Sequence, residues 1–554
     1  MPNVQAMDIM SLVTRDTDPP RLPEISYADH VIQGALDLDG VEITGSVDFQ
    51  GAVFEGRASF VGAIFTQDVG FNEATFARGV TFQKAQFLDI ALFQRITVGP
   101  QGATFRDTQF ESLALFANAE FQGETSFADA SFALSGSFGH TTFASDVDFD
   151  RVHGMRMDLA RCRFQSGAAS FVKFAAANLQ LTRAMFTAPL DAELTVPDIT
   201  LAGAVFAAGA SIRCTSPAGG TPARITLDGS RFGASSLITG SGSTLPLLES
   251  MRFADASNLT LSNLALEHCR FRGAHNLDQL RLEGSAAFAE SPAAWRFELP
   301  WPWWQRWTHR RVLAEEIAWR VQQPARERAH KEVRRRLALR RPGRVLMRWP
   351  LWQYTGKPAD RMRWPEWGAT PEEPDASLDP GDVATLYRAL RKGREDHKDE
   401  PGAADFYYGE MEMRRWGAQR RNESLLDRIV LWAYWLISGY ALRASRAATT
   451  LLVVILAFAV LFHTIGFAST ALVPRAVAVQ GGRIVYATAT LPRRGPVDQF
   501  SRAVTYSAAT ASALADPPAR RLTPAGDALR IMLRVLGPVL LALTALSIRG
   551  RIKR

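Results

Sequence analysis

The sequence predicts a β-solenoid over its first half, then an α-helical juxtamembrane region and two transmembrane helices. Three observations predict it. A phenylalanine returns every five or six residues between Phe49 and Phe149. From Trp295 that pattern gives way to tryptophan, arginine and helical spacing. Two apolar stretches near the C-terminus are each about the length that crosses a bilayer.

The phenylalanine spacing fits neither a helix, which needs apolar residues at 3, 4 and 7, nor an ordinary half-buried strand, which needs every second residue. Phe54, Phe60, Phe65, Phe71, Phe76, Phe82 and Phe87 alternate steps of six and five, so the unit is 11 residues. Val98 takes one slot, one extra residue enters near Gly99–Thr104, and the series resumes through Phe116, Phe121 and Phe127. A small or β-branched residue such as Ala52, Ala63, Val69 or Ala74 stands two positions before each ring. Fixed-period self-similarity is the mark of a solenoid, because one short unit cannot bury its own apolar side chain but a stack of them can. Each buried ring contributes on the order of 1.5–3 kcal/mol.

The x-Ala-x-Phe-x pattern resembles the pentapeptide-repeat family, and its alternating five- and six-residue steps are similar to one recurrent subclass. The resemblance implies a right-handed, four-sided β-helix. "LARCRF" (159–164), "LAGAVF" (201–206) and "LDGSRF" (227–232) carry the step further, and Leu261, Leu266, Phe271, Leu277, Leu282 and Phe288 form a last regular run. The solenoid is therefore expected over residues 35–290, after an N-terminal segment at 1–34. Loop insertions are expected near 187–198, 214–224 and 239–250, where Pro, Gly, Ser and Thr are frequent. Cys162 and Cys269 occupy the small-residue slot and read as packing, while Cys214 stands near an insertion and is expected to be accessible. Three cysteines so widely spaced make neither a disulfide framework nor a zinc site.

The 554-residue chain has a formal net charge of +7 that hides a split. Residues 37–290 hold 18 Lys+Arg against 27 Asp+Glu, a net of −9, whereas residues 291–554 hold 43 against 24, a net of +19. Such asymmetry points to an anionic surface as partner of the basic half. Some pentapeptide-repeat rods are acidic mimics of a DNA duplex. That reading is disfavoured because this rod is joined to apolar spans, and nucleic acid is not the expected partner. The first 30 residues lack a basic start followed by an apolar run, so no secretory signal is expected. The Ala- and Arg-rich composition suggests a bacterial source.

Residues 291–366 form a Trp-rich basic region. Trp301, Trp303, Trp304 and Trp307 precede an expected long helix over Thr308–Arg340. Tryptophan beside arginine suits a membrane interface, where the rings sit at the headgroups and the cations meet anionic lipid. A Pro- and Asp-rich linker follows at 367–382. Residues 383–446 then read as a helical hairpin, Val383–Glu395 and Ala403–Trp416 about a turn at Asp399–Gly402, followed by an apolar segment. Glu410 and Glu412 face different sides of a helix and, like His397, are expected on its solvated surface. "IVLWAYWLISGYAL" (429–442), with Trp432 and Trp435, is too short to span and reads as an interfacial helix.

Residues 447–554 make the membrane domain. Residues 448–468 are uncharged except for His463, near the end of the span, and are expected to cross the bilayer. Residues 529–548 form a second span, with Arg530 and Arg534 near one end and a kink expected at Gly537–Pro538. Both termini are then expected in the cytoplasm of a multi-pass membrane protein, with "RGRIKR" as the closing basic stop. The stretch 498–524 between the spans resembles the pore region of two-helix potassium channels, a short helix and then a loop. Thr510, Ser512 and Asp516 stand at the corresponding places, but "SALAD" replaces the filter glycines, which puts potassium selectivity in doubt.

The favoured function is a non-enzymatic, membrane-anchored scaffold or sensor that presents its solenoid to a cytosolic protein. The alternative is an oligomeric, channel-like protein with a degenerate pore loop regulated by the solenoid. Membrane lipid and a possible homo-oligomer complete the expected partners. No phosphate-binding loop, nucleophile elbow or metal cluster is legible, so no cofactor and no enzymatic activity are expected.

Overall fold

The computed structural model describes residues 1–15, 17–217, 219–291, 295–297, 304–306, 310–322, 378–420, 424–442, 444–467, 473–480, 483–489, 496–512 and 522–552. They fall into two compact units, Met1–Glu410 and Met411–Arg554.

The first unit is a β-solenoid of about 12 turns. Its short parallel strands pair with the strand 22 residues on, as in Ile64↔Gln86 and Phe65↔Phe87. One coil is thus two 11-residue units. Across the extra residue near 99–104 the offset becomes 23, as in Val80↔Ala103. All ten phenylalanines expected in the core are buried, and like rings stack coil on coil. Phe65 and Phe87 lie 4.7 Å apart at an interplanar angle of 3°, and Phe93 and Phe116 lie 4.8 Å apart at 2°. That separation is the strand spacing of about 4.8 Å, so the backbone ladder sets the ring stack.

The small-residue slot has a structural reason. The Ala52 amide donates to the Phe49 carbonyl, Ala74 to Phe71 and Ala85 to Phe82, each closing a tight corner. The residue just before the small one takes positive φ, as at Gly51 (65°), Glu73 (62°) and Lys84 (59°). That is the third position of a type II turn. A small buried residue, alanine at these three corners, therefore closes the turn and the next ring fills the interior.

Strand pairing begins ahead of residue 35: Asn3–Gln5 pairs with Val31–Gln33, after which a short helix, α1 (Ala6–Ser11), follows. The expected insertion at 187–198 is instead strand, Leu190–Thr195 and Asp198–Thr200. Much of 239–250 is strand too, within Ser236–Ser241 and Leu247–Ser250. In these coils "LDAELT" and "ASIRCT" alternate inward and outward residues, so longer strands replace the two-residue ones. Ala192, Ile212, Ile238 and Leu261 line up across four coils. Cys214 lies on an inward position, and burial pushes its thiol up to about 12, so the expected exposure is corrected. Residues 216–217 and 219–223, outside any strand, do lie in the loop expected near 214–224.

Gly56 shows how tightly the coils approach, since a Cβ there would overlap the Gly34 carbonyl. Gly56→Ala is expected to lower stability by about 1–3 kcal/mol. A melting temperature indistinguishable from wild type would contradict this.

Helix α2 (314–322) starts later and is shorter, within the described residues, than the expected helix over Thr308–Arg340. Ahead of it Arg311–Val312 is a strand paired with Ala289–Glu290. Trp304 lies on a strand, Trp304–Arg306, paired with Trp295–Phe297; Trp301, Trp303 and Trp307 lie outside the described residues. Helices α3 (Pro380–Asp396) and α4 (Glu400–Arg420) form the expected hairpin. Glu410 is not solvated: it is buried, with Arg391 3.4 Å away, and Glu412 is buried beside Arg415 at 3.0 Å.

Among its described residues the second unit is helical apart from one hairpin, Val473–Gln480 with Arg483–Ala489. Its helices are α5 (Leu425–Ser438), α6 (Ala444–Leu461), α7 (Pro496–Ser512) and α8 (Pro524–Ile552). A π turn, Phe462–Gly466, continues α6 and carries His463. Among the described residues, two segments are long and apolar enough to cross a membrane, Ser445–Gly466 and Pro524–Ile548.

Candidate functional site

Two built regions stand out, the closed C-terminal end of the solenoid and the core of the helical unit. An exposed last coil would leave backbone groups and ring faces open to pairing with another chain. Here it is covered. Phe288 packs edge-on against Phe406 of α4, and Lys392 of α3 bonds Asp278 at 2.7 Å. The Phe271 amide donates to the Glu315 carboxylate.

Behind this contact lies a fully buried polar network. Glu316 accepts two bonds from Arg310, at 2.6 and 2.7 Å, one from Arg320 at 2.7 Å and one from the Tyr387 hydroxyl at 2.5 Å. The Leu313 amide donates to the same hydroxyl at 2.9 Å. Burial alone would raise the Glu316 carboxyl, but the Arg310 and Arg320 charges outweigh it and hold the group down at about 2. Burial pushes the Tyr387 phenol well above its ordinary value.

Glu315 is its opposite. Among the described residues only one of its carboxylate oxygens has a hydrogen-bond partner, and burial pushes the group up to about 7 from an ordinary 4.5. A carboxyl raised on folding contributes stability that is present below pH 4.5 and lost as pH rises through about 7. Glu315→Gln is therefore expected to raise the melting temperature at pH 8, by an amount that shrinks toward pH 5. Equal shifts at both pH values would contradict this account.

In the helical unit Phe458, Phe462, Ala503, Tyr506, Ala511 and Leu533 make one core from α6, α7 and α8. Small residues let the helices touch. A Cβ on Gly537 would overlap the Ala511 carbonyl, and one on Gly526 would overlap that of Gly466. Pro538 lies within α8, beside the Gly537 contact. Thr510 is buried and its hydroxyl donates to the Tyr506 carbonyl at 2.7 Å; Ser512 donates to Ala509 at 3.0 Å. Both hydroxyls thus bond back into α7, while Asp516 lies outside the described residues. The sequence places these three together; the structure places two of them, at the end of a helix.

Trp432 and Trp435 of α5 converge on a cation. The Arg415 guanidinium lies 4.2 Å from the Trp435 ring, 4.8 Å from Trp432 and 5.4 Å from Trp416, while also pairing with Glu412. Arg446 approaches Trp435 from α6 at 5.6 Å. Trp435 is buried by this packing and Trp432 stays 38% exposed. Exposed aliphatic side chains cover the outside of the unit, among them Leu426 and Ile429 on α5, Leu452 and Leu456 on α6, and Ile531 and Val535 on α8.

Sequence reasoning missed Glu315, Glu316, Arg310, Tyr387 and Arg415. The only local sign was Glu316 and Arg320 four apart beside apolar residues, a spacing that exposed helices share. Among the described residues, no three His, Cys, Asp or Glu gather as metal ligands. Compared with known families, the chain matches the family described as Pentapeptide repeats (9 copies), over residues 31–75 and 49–97. No curated protein and no solved structure matches it.

Proposed function

We propose that the chain is a non-enzymatic, membrane-anchored scaffold or sensor that presents a rigid solenoid to a cytosolic protein. The observation that carries this reading is the pairing of a rod closed at its end with a unit whose helices α6 and α8 are apolar on the outside as well as the inside. An outward apolar surface of that extent suits lipid rather than water. The two spans would place both termini in the cytoplasm of a multi-pass protein, with the solenoid coil right-handed and four-sided. Four short strands and four rings per 22-residue coil support the four sides. Trp432 and the exposed side chains of α5 would lie at the headgroups. The test is alkaline extraction of membranes carrying the full chain: retention in the pellet supports the anchor, and release into the supernatant overturns it.

A second reading is favoured by one specific observation, the packing of the short helix α7 between two apolar helices through Gly537 and Tyr506. In it the chain is an oligomeric, channel-like protein whose solenoid regulates a degenerate pore. A symmetric oligomer in detergent with unitary currents altered by Asp516→Asn would support it. A monomer or dimer with a silent bilayer would leave the scaffold.

A further inference from the structure

The solenoid's corner residues form ladders, and their charges are mostly matched. At one corner Glu73 pairs with Arg95 of the next coil at 2.6 Å, and at another Asp129 pairs with Arg151 at 2.6 Å. Arg161 and Arg183 break this rule. They occupy the same corner of adjacent coils, since the Arg161 amide donates to the Thr182 carbonyl just as the Arg183 amide donates to Ala202 in the next coil. Both have positive φ, 60° and 57°, where the next coil uses Gly203. Like charges stacked about 4.8 Å apart repel, and a side chain in the left-handed region adds strain.

Arg163 extends the patch two residues along the coil, and the exposed Met185 lies beside it on the next coil. Among the described residues none of the three arginines has a carboxylate partner. Arg161 meets only His140, at 3.4 Å. Residues 37–150 hold 5 Lys+Arg and 16 Asp+Glu, but residues 151–183 hold 6 and 1. Three of those six, Arg161, Arg163 and Arg183, gather at one corner and the strand after it, so a cationic patch is set within an acidic rod.

We infer that Arg161, Arg163 and Arg183 form a docking site for an extended acidic peptide segment of a partner protein. This assigns a partner class to the rod of the scaffold reading, and rests on that reading. An extended peptide puts every second side chain on one face. Carboxylates at alternate positions would pair with these guanidiniums through forked hydrogen bonds. A bilayer or a nucleic-acid duplex is much wider than this patch. On the same ladder it would meet Glu120, two coils before Arg163, and Asp255 beyond Arg231.

The test is fluorescence anisotropy of labelled Asp-Ser-Asp-Ser-Asp-Ser with the full chain in neutral detergent at low salt. Binding is expected, and about tenfold weakening by Arg183→Glu and by Arg163→Glu. Arg183→Glu is also expected to leave the melting temperature equal or higher, because its carboxylate would face Arg161. That combination separates lost docking from lost folding. No binding by the wild type, or unchanged binding by both variants, overturns the inference. So does tighter binding of a single-stranded oligonucleotide or of phosphatidylglycerol vesicles through the same arginines. Because the assay runs in detergent, its failure is distinct from failure of membrane anchoring, which alkaline extraction reports.

Discussion

Glu316→Ala is expected to cost the closed end of the solenoid about 3–5 kcal/mol. The side chain is fully buried, and its loss strands Arg310 and Arg320, which are themselves 3% and 4% exposed. Removing one member of a buried ionic cluster leaves uncompensated charge, which is why this single change outweighs any surface pair in the rod. Replacing Glu316, Arg310 and Arg320 together by apolar residues should cost far less. A carboxyl lowered on folding contributes stability that is present above pH 4.5 and lost as pH falls through about 2, so the network persists at ordinary acidity. Limited proteolysis should cut the variant early near 310–322 while sparing residues 40–150. Equal cleavage of wild type and variant would contradict the account.

Phe116→Ala is expected to cost about 3–5 kcal/mol. The ring stacks on Phe93 and Phe138, each at 4.8 Å, and meets Phe105 and Phe127 edge-on at 5.3 and 5.4 Å. Cavity and lost transfer energy add, because the four neighbours are held by their own coils and cannot collapse inward. A solenoid contacts only nearest-neighbour coils, so a mid-rod cavity also uncouples the two halves. Thermal unfolding should broaden or split for Phe116→Ala. A loss under 1 kcal/mol with a single sharp transition would contradict stacking as the source of rigidity.

Those rings were the most legible part of the sequence. The 11-residue period from Phe49 to Phe149 locates the core, because each coil must present the same side chain at the same place. The strands at 190–195 and 247–250 read as loop insertions in the sequence, because Pro, Gly, Ser and Thr are frequent in 187–198 and 239–250 and the phenylalanines thin out there. Cys214 was misplaced for the same reason. The helical hairpin followed from the turn at Asp399–Gly402 and apolar spacing, but α3 begins at Pro380, inside the stretch that reads as a linker, and α4 runs on to Arg420. Burial of Glu410, Glu412, Glu315 and Glu316 did not, because charge in a helix reads as solvated unless its partners are known. Arg310 and Tyr387 are 77 residues apart and meet only in the fold. The acidic balance of the rod was legible as a sum. The cationic band at Arg161, Arg163 and Arg183 needed the coil register, which turns residues 22 apart into neighbours.

Protease protection tests the account's central claim most directly. The full chain would be expressed in a bacterial host and a protease added to spheroplasts and, separately, to lysed membranes. The account predicts a solenoid protected in intact spheroplasts and released as a resistant fragment after lysis, with the helical unit remaining in the membrane pellet. Digestion of the solenoid from outside intact spheroplasts, or a chain found wholly in the soluble fraction, would contradict a cytosolic rod held by a membrane anchor.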